Sequence, residues 1–368
     1  MRHKFHAICP YFAMFPEGFA RENIISMTEP GDVVLDPFSG RGTTLLESLL
    51  NQRQALACDV NPVAFCITSA KAYPPDLKYL MRRIENLERE FSKNQHKTIV
   101  AEIRRLPIFY SYAYHPDTLR EIMFLRGKLN WRKSRVDRFI AVLVLGSLHG
   151  ETNRSINFFS NQMPHTICLK PNYSIRYWEK NGLSAPRREV FKNLLRLANF
   201  RFSTGIPELT GIAYQADVRN AKRVFRQFQR KVRAVITSPP YLGITNYEED
   251  QWLRLWFLGG PPIPTYHQVS KDDRHHSPTR YFKFLEEAWS GIAPLLKPSA
   301  KLILRIGTKY LEAEELHKRL ELSLRAVWPK IRPIKEPACS SIAHRQTNTF
   351  RPGSEGCRVE WDFAFQIS

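Results

Sequence analysis

Nearly continuous apolar runs recur along the chain at DVVLDP (32 to 37), ALACDV (55 to 60), GIAYQADV (211 to 218), RAVITSPP (233 to 240), AKLILRIG (300 to 307) and VEWDFAFQI (359 to 367). Apolar residues at consecutive rather than alternate positions suit strands covered on both faces, as in a parallel sheet. Segments with helical spacing lie between them: TTLLESLLNQ, RNAKRVFRQFQRKV, YEEDQWLRLWFLG, RYFKFLEEAWSGIAPLL and EAEELHKRLELSLRAV. This alternation predicts a doubly wound α/β domain.

Residues 73 to 205 break the rhythm. Leu77, Leu80, Ile84, Leu87 and Phe91 fall at helical spacing, as do Leu119, Ile122 and Leu129, and RFIAVLVLGSL reads as a fully buried helix. A crossover needs only a dozen or so residues, so this stretch is a mainly helical insertion. The expected organisation is 1–72 as the amino-terminal segment with the first part of the α/β domain, 73–205 as the insertion, and 206–368 as the rest of the α/β domain. The stretch GGPPIPTYHQVSKDDRHHSPTR (259 to 280) reads as a long loop. Trp252, Leu255 and Trp256 share one helical face and are expected in a core rather than in a site.

Composition narrows the partners. A hydrophobic content of 43% supports a real core, and there is no uncharged apolar run of about 18 residues, so a membrane span is not expected and the chain is read as cytoplasmic. The six cysteines show no pairing or Cys/His spacing suited to zinc, and no metal site is expected. Fifty-five Lys and Arg against 35 Asp and Glu give a net charge of +20, which points to nucleic acid as the partner.

Candidate chemistry gathers where strands end. Asp36-Pro37-Phe38-Ser39-Gly40-Arg41-Gly42-Thr43-Thr44 follows the first strand and opens a helix, so its glycines permit a tight turn and the helix start offers free N–H groups to a ligand. It is not a P-loop, because no Lys-Ser or Lys-Thr follows. Asp59 ends the second strand 23 positions after Asp36, close to the spacing at which a carboxylate meets ribose hydroxyls. Asp217 ends the third strand, where it can accept from an adenine amine or cap the following helix. Ser238-Pro239-Pro240-Tyr241 closes the fourth with a rigid elbow.

Together DPFSGRGTT and SPPY resemble the cofactor and catalytic motifs of the amino DNA methyltransferases, which methylate N4 of cytosine or N6 of adenine. CPYFAMFPEGFARENI near the amino terminus is similar to the family segment that precedes the cofactor motif. The resemblance covers residues 1 to 70 and 209 to 310, and touches the insertion only through SNQMP (160 to 164) and SIRYW (174 to 178). It implies a Rossmann-like class I methyltransferase fold with a mostly parallel seven-stranded sheet, and S-adenosyl-L-methionine as cofactor. Phe15, Pro16, Asp36, Pro37, Phe38, Gly40, Gly42, Thr43, Thr44, Asp59 and Asp217 are then the cofactor set: Phe15-Pro16 beside the methionine moiety, Asp36 on its amino group, Asp59 on the ribose, Asp217 on the adenine. The cofactor loop precedes the catalytic turn here, whereas many SPPY enzymes run in the permuted order, so the subclass stays open.

The same resemblance makes Ser238, Pro239, Pro240 and Tyr241 the catalytic set. The amine of a nucleobase is a weak nucleophile because its lone pair is delocalised into the ring. Ser238 Oγ and the Pro239 carbonyl are suited to accept its N–H groups and aim the lone pair, with Tyr241 stacking on the base. The target atom is shielded in a duplex, so the base is extruded into the pocket. Serine at 238 resembles the cytosine members; adenine, an RNA base, and a non-catalytic binding role on the same scaffold remain alternatives. DNA is the expected partner, with Arg154, Arg176, Arg187, Arg188, Lys271, Arg274 and Arg280 as contacts, His275 and His276 as solvated loop residues, and a cognate restriction endonuclease as a further partner.

Overall fold

Seven strands form: β1 (Val33–Asp36), β2 (Gln54–Asp59), β3 (Ile212–Gln215), β4 (Val232–Thr237), β5 (Leu296–Gly307), β6 (Arg332–Ser341) and β7 (Val359–Gln366). The computed structural model describes residues 2–11, 15–93, 96–242, 247–265, 277–308, 311–341 and 359–367. The strands lie in one sheet in the order β3-β2-β1-β4-β5-β7-β6. β7 runs antiparallel to both neighbours and the other pairs are parallel. This is the mostly parallel, seven-stranded Rossmann-like sheet that was expected.

Six of these strands were legible as apolar runs, and β6 was not. Its sequence, RPIKEPACSS, contains Pro333 and Pro337 and charged residues, and its register against β7 shifts beside both prolines. Proline cannot donate to a ladder, so it is tolerated at a sheet edge, where it also discourages pairing with another chain. β6 is that edge. A second difference concerns RNAKRVFRQFQRKV, which forms only short turns at Val218–Asn220, Ala221–Val224 and Arg226–Phe228 rather than one helix. Before Val232, which joins β4, only Ala221 and Phe225 of this stretch are buried in the core while its many basic residues are not, so few apolar anchors are available to hold a longer helix.

The chain divides into two compact units. The sheet unit comprises 13–72, 207–246 and 268–368. Alternate residues of β1 face opposite layers: Val33 and Leu35 join a core with Trp289, Leu285 and Leu320, while Val34 joins Phe15, Phe19, Ile24, Ala234, Ile236 and Ile303. Helix Glu17–Met27 thus covers one face, and Pro278–Ile292 with Ala313–Arg325 covers the other. All four residues of β1 are buried, as its unbroken apolar run requires.

The helical unit is larger than the insertion read from the sequence: it comprises 1–12, 73–206 and 247–267. Helices Leu77–Lys93 and Arg135–Ser147 follow the expected spacing, and every residue from Phe139 to Leu145 is buried. Phe5 packs at 5.4 Å from Phe139 and 5.2 Å from Phe202. A Cβ at Gly146 would stand 2.2 Å from the Ile8 carbonyl oxygen, so the amino-terminal segment lies against that helix at a distance only glycine permits. Trp252 and Trp256 are buried against Phe109 and Tyr110, at 5.1 and 4.6 Å, as core residues of this unit.

Candidate active site

The chain runs from β1 outward through β2 to β3, then returns to lay β4 on the other side of β1. In an open α/β sheet such a reversal leaves a crevice outside the carboxyl ends of the two strands, the ordinary place for a ligand. Asp36 and Thr237 are the last residues of β1 and β4. Thr237 Oγ1 donates to Asp36 Oδ1 at 2.6 Å, and the Phe38 N–H reaches the same oxygen at 3.2 Å. Asp36 is 1% exposed, and its Oδ2 is buried without a hydrogen bond among the described residues, although the Thr44 side chain also acts on the carboxyl. Burial, opposed by those hydrogen bonds, pushes its carboxyl up to about 7.

The loop after Asp36 owes its shape to glycine. Gly40 and Gly42 have φ of 48° and 73°, and a Cβ on Gly42 would meet Thr68 Oγ1 at 2.8 Å. Gly42 caps helix Thr43–Leu50, and Thr44 Oγ1 donates to the Ile236 carbonyl at 3.0 Å, tying the helix start to β4. Side chains that sequence reasoning missed brace the loop from outside. Thr68 Oγ1 donates to the Gly40 carbonyl at 3.0 Å, buried Lys71 donates to the Arg41 carbonyl at 2.6 Å, and Arg41 pairs with Glu17 at 3.0 Å. Glu17 lies inside the FPEGFA segment already singled out, which was the available signal.

Asp59 also braces the loop: Oδ2 accepts the Gly40 N–H and Oδ1 the Asn61 N–H, each at 2.9 Å. Burial raises its carboxyl to about 6. Asp217 caps the turn that follows it, accepting the Arg219 N–H at 2.9 Å and holding the Arg219 guanidinium through both oxygens. Burial raises the Cys58 thiol, and the charges of Asp59, Asp36 and Asp217 push it further. Phe15 is buried against Phe19 at 5.2 Å, Pro16 starts helix Glu17–Met27, and Phe38 packs 5.9 Å from Phe284.

Ser238 follows β4 directly. Its Oγ donates to Tyr241 Oη at 3.2 Å, and Tyr241 Oη donates to Glu360 Oε1 at 2.8 Å. Tyr241 is 7% exposed, with its hydroxyl engaged in these two contacts. Glu360, Arg305 and Asp362 around this turn were not found from sequence, because they lie on β5 and β7, far along the chain.

Among the basic residues, Arg154 and Arg176 are exposed; Arg154 pairs with Glu151 at 2.8 Å and Arg176 Nε donates to the Asn172 carbonyl at 3.3 Å. Arg187 and Arg188 do internal work: Arg187 pairs with Glu121 at 2.7 Å, and Arg188 donates to the carbonyl of Phe158. All four belong to the helical unit, whereas exposed Arg280 lies in helix Pro278–Ile292 of the sheet unit. Lys271, Arg274, His275 and His276 lie outside the described residues. The two segments of the insertion noted above meet, as Trp178 Nε1 donates to the Gln162 carbonyl at 2.7 Å.

Residues 2–69 match the family model described as DNA methylase, which covers the cofactor loop and leaves the SPPY turn outside. The type II methyltransferase M.MvaI of Kocuria varians is 22% identical over 252 residues, 66% of this chain and 53% of that protein. The orphan methyltransferase M.BamHII of Bacillus amyloliquefaciens is 41% identical over 49 residues, 13% of this chain and 18% of that protein. The chain thus matches about half the length of one relative and under a fifth of the other. Among solved structures, the rRNA methyltransferase aviRa of Streptomyces viridochromogenes aligns over 97% of this chain and 87% of its own, at 12% identity and a TM-score of 0.34.

Proposed function

We propose that this chain, a relative of the amino DNA methyltransferases, transfers a methyl group from S-adenosyl-L-methionine to the exocyclic N4 amine of a cytosine turned out of DNA. The observation that carries the reading is the 2.6 Å bond from Thr237 to Asp36, which joins the residue before the SPPY turn to the first residue of the glycine loop. Two motifs 200 residues apart in sequence thus share one edge of the sheet.

The cofactor fits this edge. Among the described residues Oδ2 of Asp36 makes no hydrogen bond, and the ammonium of a methionine moiety would both satisfy it and favour the ionised, accepting carboxylate. Bound there, the cofactor supplies an electrophilic methyl carbon on a sulfonium. Gly40 and Gly42 give it backbone approach, and Asp59, already holding Gly40, has lone pairs left for ribose hydroxyls. Ser238 Oγ and the Pro239 carbonyl accept the N–H groups of the base and localise the lone pair on nitrogen. In the transfer the C–S electron pair would pass to sulfur and the surplus amine proton would leave to solvent. Serine at 238 favours cytosine over adenine through the family resemblance.

The test is expression in a host lacking DNA methylation, followed by digestion of its DNA to nucleosides. 4-Methylcytosine is the expected product, absent with Ser238→Ala. 6-Methyladenine would replace cytosine by adenine in the proposal, and label entering RNA alone would overturn it.

A further inference from the structure

We infer that Glu360, on the last strand of the sheet, is a positioning residue that sets the direction of the hydrogen bonds at the SPPY turn and so makes Ser238 Oγ an obligate acceptor toward the substrate amine. The inference rests on the methyl-transfer reading above. A carboxylate only accepts, so the 2.8 Å contact with Glu360 Oε1 consumes the single proton of Tyr241 Oη. Tyr241 can then only accept at its 3.2 Å contact with Ser238, which consumes the single proton of Ser238. What remains on Ser238 Oγ is lone-pair density, the complement of an amine N–H. A serine free to rotate its proton would spend part of its time presenting a donor, which an amine cannot use.

The remote end of the chain of bonds is fixed. Arg305 lies 3.7 Å from Glu360 Oε2 and is itself clamped by both oxygens of Asp362 at 2.6 Å each. Its guanidinium also lies over the Phe19 ring at 4.0 Å and is only 6% exposed. Sheet register explains the clamp, since Arg305 stands directly opposite Asp362 and Gly307 opposite Glu360. The second oxygen of Glu360 is therefore directed at a cation held in place from two sides, leaving the first for Tyr241.

Steady-state methylation of a DNA duplex by the wild type, Glu360→Gln, Tyr241→Phe and the double variant tests this. A glutamine amide can donate to Tyr241 and reverse the chain, so kcat is expected to fall about tenfold with Glu360→Gln, the scale of one hydrogen bond. KM for DNA and calorimetric affinity for S-adenosyl-L-methionine should stay near wild type. Tyr241→Phe should lose a similar factor, and it leaves the Glu360–Arg305–Asp362 cluster intact should Glu360→Gln fold poorly. Because Glu360 acts through the phenol, the double variant should be no slower than Tyr241→Phe. Unchanged kcat in Glu360→Gln, or multiplied losses in the double variant, would overturn the inference while leaving the methyltransferase reading in place. A wild type without activity on DNA would remove both.

Discussion

A carboxyl buried as deeply as that of Asp36 keeps its proton to about pH 7 in the folded protein, against 3.8 for the ordinary side chain. Folding therefore favours the protonated form. The resulting stability is fully present below about pH 4 and is lost as the pH rises through 7, a change of about 4 kcal/mol if Asp36 acts alone. Asp59, raised to about 6, adds a loss of the same sign. Thermal melts from pH 4 to 8 should show the melting temperature of the wild type falling, and that of Asp36→Asn falling less; parallel curves would remove Asp36 as the cause. A natural protein keeps so costly an acid only where something repays it, and a bound ammonium would do so. The position of Asp36 was readable from sequence, at the end of an apolar run before a glycine loop. Its partner Thr237 was not, because 200 residues separate them and only strand pairing brings them together.

At the scale of elements, the glycine loop depends on two separate constraints, and substitution resolves them. Gly31 and Gly42 both have positive φ, but among the described residues nothing lies within 4 Å of a Cβ on Gly31, whereas Gly42 faces Thr68 at 2.8 Å. Gly31→Ala should cost about 1 kcal/mol from backbone strain alone, and Gly42→Ala about 2 kcal/mol or more, because Thr68 must also give way. Urea melts of the two variants measure the difference; equal losses would remove the contact with Thr68 from the account. The loop itself was legible, since two glycines between a strand and a helix restrict the backbone strongly. Strand β6 and the turns at 218–228 were not. Tertiary burial decides whether a proline-bearing segment pairs at an edge and whether a basic segment extends into a helix, and neither outcome is written in local periodicity.

At the scale of the molecule, the proposal that DNA is the substrate joins a net charge of +20 to a definite expectation: binding should weaken steeply with salt, by about 0.9 in the log–log slope for each phosphate neutralised. Exposed Arg154 and Arg176 should each reduce that slope by about one when changed to alanine, with little loss of stability. Arg187→Ala should instead destabilise the helical unit by about 1 to 2 kcal/mol, since it removes the cation from Glu121, which is 5% exposed and among the described residues keeps only backbone N–H donors such as that of Val190. Fluorescence anisotropy across a salt series and chemical denaturation separate the two classes; an unaltered slope in both surface variants would move the DNA contact elsewhere. The sequence by itself determined the parallel sheet, its helical insertion, the glycine loop and the SPPY elbow, because burial on both faces, proline and glycine leave local marks. Only the tertiary structure decided that residues 1–12 and 247–267 belong with the helices, that Asp36 meets Thr237, and that Glu360 reaches the elbow through Tyr241. Those outcomes depend on strand order and on packing between distant segments, which no local pattern encodes.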